Sequence, residues 1–211
     1  MPAFLALREA ARSAGIDLQA ASSFRDFDRQ LAIWNAKFRG ERPLLDRRGR
    51  PLEVRTLSAA ERVEAILVWS ALPGASRHHW GTDFDVFDVA AMPDRSRLQL
   101  VPDEYAGSGP FATLTHWLDE HMHEFGFFRP YVAPNTGVNP EPWHVSYAPL
   151  AMRCMEELTV PVLVRALEES ALEGRDVVLE SIDTLHRRFV VNVAQPPPSI
   201  AAELGDHRRM V

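Results

Sequence analysis

Apolar side chains at Phe4, Leu5, Leu7, Ala10 and Ala11 recur at helical spacing until Gly15 stops the pattern. The period then changes. Ile16 to Ser22 is short and alternating, which predicts a strand. Polar capping candidates at residues 22–26 open an amphipathic helix carrying Phe27, Leu31, Trp34 and Phe38 as far as Gly40, with Arg25 at the strand-to-helix junction. Ser58 followed by Glu61 is a capping box, and the helix it opens presents Val63, Ile66, Leu67, Trp69 and Leu72 before Pro73 and Gly74 end it. Residues 83–89 set Asp83, Asp85 and Phe87 against Phe84, Val86 and Asp88, a strand with polar groups toward a cleft at one end. Helical period returns in Phe111, Leu114, Trp117, Leu118, Met122 and Phe125, closed by Gly126. Residues 127–131 and 142–147 are strand candidates around a Pro- and Asn-rich turn.

The connecting segments fill in the organisation. Residues 41–56 hold Pro43, Asp46, Gly49 and Pro51 and read as a loose hairpin or turn-rich flap over or beside the site, while residues 94–109 look irregular. Beyond Pro149 only helical patterns occur, and the final Pro-run segment has weak patterning. The expected organisation is a main domain over residues 1–149, a helical extension packed on it over 150–195, and a mobile tail over 196–211.

Composition narrows the partners. A chain of 211 residues, 46% hydrophobic and 25% charged, can bury a sizeable core, and its formal charge of −6 gives no footprint for a polyanion, so nucleic acid is not expected. The single cysteine, Cys154, excludes an intrachain disulfide and is expected to be a buried structural thiol. No run approaches the roughly 20 apolar residues of a membrane span. The first 16 residues are interrupted by Arg8, Glu9 and Arg12 and do not read as a signal peptide, so the expected compartment is cytoplasmic as the chain stands, or periplasmic if a leader has been removed. Oligomeric state stays open.

The candidate chemistry sits in two runs, residues 72–88 and 137–147. The first places His78 and Asp85 on either side of a turn at Gly81; the second adds Glu141 and His144. A hydrolytic zinc site needs about three protein ligands, commonly His and carboxylate, and a separate general base. Two imidazoles, one carboxylate and one spare carboxylate meet that requirement, and a His, His, Asp set prefers zinc. Glu141 and His144 are three residues apart, so they point to opposite sides of a strand unless Glu141 lies in the turn before it.

These residues carry a family resemblance. SRHHWGTDFD resembles the SxHxxGxxxD signature, and EPWH the ExxH signature, of the LAS-type zinc metallopeptidases, the VanY-like D-alanyl-D-alanine carboxypeptidases, D,D-dipeptidases and L,D-carboxypeptidases of peptidoglycan. SSFRDFDRQ is similar to that family's Arg-then-Gln segment, and FGFFRPY to its approach to the last ligand, so the resemblance spans residues 5–147. It implies an α+β fold, a small antiparallel sheet flanked by helices of the D-Ala-D-Ala metallopeptidase/hedgehog type, here with a helical C-terminal extension. It also implies one zinc ion held by His78, Asp85 and His144, Glu141 as general base and proton shuttle, and Arg25 as stabiliser of the carbonyl oxyanion. Ser76 and Gln30 would help hold the substrate's peptide or terminal carboxylate, and Trp143 would wall the pocket. The implied reaction is removal of the C-terminal D-alanine from a peptidoglycan stem peptide or muropeptide. The alternatives are a cytosolic L,D-carboxypeptidase of wall recycling and, from another class, a non-catalytic zinc-stabilised binding module.

One position departs from the pattern. Asp83 stands two before the ligating Asp where the family often has a small residue, and is expected either to partner His78 or to compete for the metal. His79 should face away from the site. His116, His121 and His123 should form a solvated helix surface, and His186 and His207 should lie at the surface.

Overall fold

The computed structural model describes residues 2–132 and 137–200. Helix α1 (Pro2–Ser13) buries Phe4, Leu7 and Ala11 and leads through Gly15 into strand β1 (Leu18–Ser22). Helix α2 (Phe27–Phe38) begins at Asp26, whose carboxylate accepts the Arg29 N–H at 2.7 Å and so satisfies a donor that the first helical turn leaves free. Strands β2 (Leu44–Leu45) and β3 (Pro51–Leu52) form the hairpin expected of residues 41–56. Helix α3 (Ala59–Trp69) carries the capping box between Ser58 and Glu61, but ends at Trp69 because Ser70 is already extended.

Strand β4 (Asp83–Asp88) is buried along its whole length. After it, the segment expected to be irregular contains a turn of 3-10 helix at Arg95–Arg97 and the short helix α4 (Pro102–Tyr105). Pro102 starts that helix, and Glu104 folds back to accept the Gln99 and Val101 N–H groups, local chemistry that hydrophobic periodicity does not register. Helix α5 (Ala112–His121) runs into a 3-10 turn, Met122–Phe125, that closes at Gly126. Strands β5 (Phe127–Phe128) and β6 (His144–Tyr147) are both shorter than their sequence candidates; the turn at residues 133–136 lies outside the described residues.

The four-stranded antiparallel sheet has the order β1-β4-β6-β5. Its apolar face packs Phe84, Val86 and Val145 against Phe4, Leu7, Leu114, Leu118 and Phe127, with the Phe4 and Phe84 rings stacked at 4.1 Å. The opposite face carries Asp83 and Asp85 at one end, and Phe87 at the other against Phe111. The architecture is therefore the expected α+β one, a small antiparallel sheet among helices.

The C-terminal helices are α6 (Ala148–Glu157), α7 (Val160–Glu168), α8 (Arg175–Glu180) and α9 (Ile182–Leu185), the last continuing as a π turn, His186–Val190. Leu163, Leu167, Leu172, Val178, Ile182 and Phe189 fill one core together with Trp34, Val63, Ile66 and Leu67 of α2 and α3. Polar contacts fix the join: Trp34 Nε1 donates to the Glu173 carbonyl at 3.0 Å, and Asn35 exchanges hydrogen bonds with Ala171 and Glu173.

Three expectations change here. Cys154 is half-buried on α6 and not a core thiol, and burial raises its pKa. His186 reaches the Leu158 carbonyl at 2.8 Å and ties the π turn to the end of α6, so it is a bracing group more than a surface one. The start of the tail is anchored, since Ile200 is buried against Phe128 and Ala148; residues 201–211, with His207, lie outside the described residues. Among the described residues no helix is long and apolar enough to cross a membrane.

Leu163 is fully buried in the shared core and its neighbour Val162 is 50% exposed. Leu163→Ala is expected to cost about 2–5 kcal/mol in urea unfolding, and Val162→Ala less than about 1 kcal/mol.

Candidate metal centre and active site

The site forms where β4 and β6 pair, because their register sets Asp85 opposite His144 and Asp83 opposite Ser146. His78 arrives on a separate element, the 3-10 turn Arg77–Trp80, which closes through Gly81 at φ 68°, a left-handed conformation natural to glycine. The three side chains are buried, and each offers a ligand atom within 4.8 Å of the others.

Hydrogen bonds outside this triangle decide which ring nitrogens face inward. His78 Nδ1–H donates to the Ser23 carbonyl at 2.8 Å, leaving the Nε2 lone pair 3.3 Å from Asp85 Oδ2. His144 Nε2–H donates to Asp83 Oδ2 at 2.8 Å, leaving the Nδ1 lone pair 3.2 Å from Asp85 Oδ1 and 3.3 Å from Glu141 Oε2. With His144 neutral, acceptors would face acceptors in a buried space, where Asp85 Oδ1 has no hydrogen-bond partner. Burial opposes a charge on His144, yet Asp83, Asp85 and Glu141 outweigh it and hold the imidazole pKa well above its ordinary value. A proton on His144 or a metal cation answers these acceptors, and the donor set of two imidazoles and a carboxylate fits zinc.

Asp83 settles differently from either expectation. It approaches His144 instead of His78, on the side of the ring away from the triangle, so it neither partners His78 nor competes for the metal. His79 does face away: its Nδ1–H donates to the Arg25 carbonyl at 2.5 Å and its Nε2 accepts the Gly74 N–H at 3.1 Å. Together with the Arg25 N–H donating to the His78 carbonyl at 3.2 Å, this braces the Arg25 backbone on both sides.

Glu141 lies in the turn before β6, where its N–H donates to the Tyr131 carbonyl and its carbonyl accepts the His144 N–H, each at 3.0 Å. Its side chain reaches the same space as His144, as sharing one water requires. The Arg25 guanidinium donates from Nη1 to Gln30 Oε1 at 2.8 Å and from Nη2 to Ser22 Oγ at 3.1 Å. Burial pulls the Arg25 pKa down, and the charges of Asp85 and Glu141 oppose that pull.

Arg25, Ser76, His78, Asp85, Glu141, Trp143 and His144 all line one cleft of about 780 Å³. Gln30 does not. It is fully buried, with its amide donating to the Ala71 carbonyl at 2.7 Å and its oxygen accepting from Arg25, so it supports Arg25 and is not positioned to bind substrate. Leu45, Arg47, Arg48 and Gly49 place the hairpin tip on the cleft wall. Arg47 and Asn139 bond reciprocally, at 3.2 Å from Nη1 to Oδ1 and 2.8 Å from Nδ2 to the Arg47 carbonyl, joining the hairpin to the loop that bears Glu141.

Some contributors escaped the sequence reading. Tyr131 packs edge-on against His144 at 5.0 Å, and burial pushes its phenol up to about 12. Lys37 is pulled down to about 8 by burial, with the charge of Glu141 opposing. Arg77, adjacent to His78 in the motif, is buried and paired to Asp83. Tyr131 ends the FGFFRPY segment and Arg77 lies inside the first motif, so proximity to motif residues was the only signal. The helical His residues are surface groups as expected for His116, which pairs with Glu120, and His121, which pairs with Glu120 and Glu124.

Comparison with known proteins identifies the family. An uncharacterized protein of Haemophilus influenzae is 34% identical over 122 residues, which span 57% of this chain and 93% of that one. A D-alanyl-D-alanine carboxypeptidase of Enterococcus faecalis is 26% identical over 144 residues, 67% of this chain but only 44% of that protein. Among solved structures, VanYB in complex with D-alanine-D-alanine aligns at 28% identity and a TM-score of 0.47, covering 69% of this chain and 67% of that one. The family model described as VanY, D-alanyl-D-alanine carboxypeptidase, matches residues 1–150. The chain belongs to that family and is a metallopeptidase of the carboxypeptidase type.

Proposed function

We propose that the protein is a zinc-dependent D,D-carboxypeptidase that removes the C-terminal D-alanine of peptidoglycan stem peptides. The observation that carries this reading is the inward-facing set of lone pairs on His78, Asp85 and His144, with the Glu141 carboxylate 3.3 Å from His144 Nδ1 on the cleft wall. When bound there, one zinc ion supplies Lewis acidity, polarising the scissile carbonyl and acidifying water.

The chain's own residues do the rest. Glu141 accepts a proton from the attacking water as its oxygen bonds to the carbonyl carbon, then returns that proton to the amine of D-alanine as the C–N bond breaks. Arg25, held by Gln30 and Ser22, keeps a fixed positive charge toward the developing oxyanion. Ser76 lies on the same cleft and is suited to the terminal carboxylate, and Trp143, backed by Tyr105 at 5.6 Å, forms a rigid wall. A purely zinc-stabilised binding module has no use for a carboxylate placed as Glu141 is.

Glu141→Gln is expected to keep about one zinc per chain by elemental analysis while kcat falls by about 10²–10⁴-fold. Arg25→Ala is expected to lower kcat/KM by about 10²–10³-fold, with Arg25→Lys recovering part of it. The substrate assignment is checked by weighing products: a pentapeptide stem ending in D-Ala-D-Ala loses one D-alanine and a tetrapeptide stem loses none. Release from the tetrapeptide alone would make the enzyme an L,D-carboxypeptidase, and release from neither would defeat both assignments.

A further inference from the structure

Resting on that reading of the metal site, we infer that Asp83, clamped by Arg77, is a positioning residue that sets the orientation and donor strength of His144. Asp83 is 0% exposed and Arg77 2%. A carboxylate offers about four acceptor positions. Here four donors meet them: Arg77 Nε at 2.7 Å and His144 Nε2 at 2.8 Å on Oδ2, Thr82 Oγ1 at 2.6 Å and Ser146 Oγ at 2.9 Å on Oδ1. Arg77 Nη2 also donates to Ser146 Oγ at 2.5 Å, and its guanidinium lies 4.8 Å over the Trp80 ring.

Two consequences follow for His144. Saturated on all sides, Asp83 cannot swing toward the metal, so the ligand set stays His78, Asp85 and His144. Bonded to a full carboxylate, Nε2 keeps its proton, and the lone pair on Nδ1 is fixed toward the centre and made more basic. A merely structural account of the buried Arg77–Asp83 pair is weaker, because a buried ion pair gains little over apolar residues of the same volume. The group that gains from the carboxylate is the ring of His144. Antiparallel register supplies the means: Asp83 opposes Ser146, two residues along the same face from the Asp85–His144 pair.

The test compares full-length wild type, Asp83→Asn, and the double variant Asp83→Ala/Arg77→Met, which removes both buried charges together. Zinc affinity is measured by competition with a chromogenic chelator at fixed pH, the Co²⁺-substituted proteins are compared by d–d absorption, and folding is followed by circular dichroism. The double variant should bind zinc about 10–100-fold more weakly with a shifted cobalt spectrum, and Asp83→Asn should fall between it and wild type. Wild-type affinity and an unshifted spectrum in a folded double variant would overturn the inference; if that variant does not fold, the same result in Asp83→Asn does so. A wild type that takes up no zinc overturns the metal-site reading and this inference with it, whereas a zinc-loaded wild type beside unchanged variants overturns this inference alone.

Discussion

The pairing of β4 with β6 is the constraint on which the site depends. Side chains on a strand alternate faces, so the register that sets Phe84 beside Val145 in the core also sets Asp85 opposite His144 and Asp83 opposite Ser146 on the other face. A slip of one residue would send both aspartates into the apolar layer and Phe84 into the cleft. Hydrophobic packing against Phe4, Leu118 and Phe127 therefore does two jobs. It stabilises the sheet, and it makes the wrong register of the polar face expensive.

The remaining groups come from loops, and each is held from two directions. His78 sits on a single 3-10 turn, yet its Nδ1 is bonded to the Ser23 carbonyl and its own carbonyl accepts the Arg25 N–H. His79 completes the link by holding the Arg25 carbonyl. His78 and Arg25 are thus one mechanical unit. The Glu141 loop is similarly held by Tyr131 from one side and, through Asn139, by Arg47 of the hairpin from the other. Preorganisation of this kind lets short loops serve where a site needs tolerances of about half an ångström.

Much of this was legible in the sequence, for identifiable reasons. The alternation at residues 83–88, the capping box at Ser58 and Glu61, and the Gly-terminated helices are local signals, and the elements formed within a few residues of where those signals put them. Spacing alone required Glu141 to lie before β6 if it was to share a water with His144, and it does. What could not be read depends on contacts distant in the chain. Gln30 looked like a substrate contact because sequence order carries no information on burial, and Ala71, 41 residues away, takes its amide. Asp83 had the right chemistry to join the metal, and only Arg77, Thr82, Ser146 and His144 closing on it together remove that option. Helices α7 to α9 showed no chemistry in their patterns, and their role as the far wall of the core around Trp34 appears only in three dimensions.

Charge balance links the metal reading to the choice of an exopeptidase. At the centre of the site, Asp83 is paired with Arg77, while Arg25 faces both Asp85 and Glu141 and Lys37 is a further cation near Glu141, so the acidic groups there already have positive partners. A divalent ion bound there would add positive charge to a site already holding matched charges, and charges held away from water are costly unless matched. A substrate ending in a free carboxylate would supply the match. A peptide cut in its interior brings no charge to that spot. On the proposed reading, the electrostatics that would draw a cation to His78, Asp85 and His144 would also favour a chain terminus as the group bound next to it.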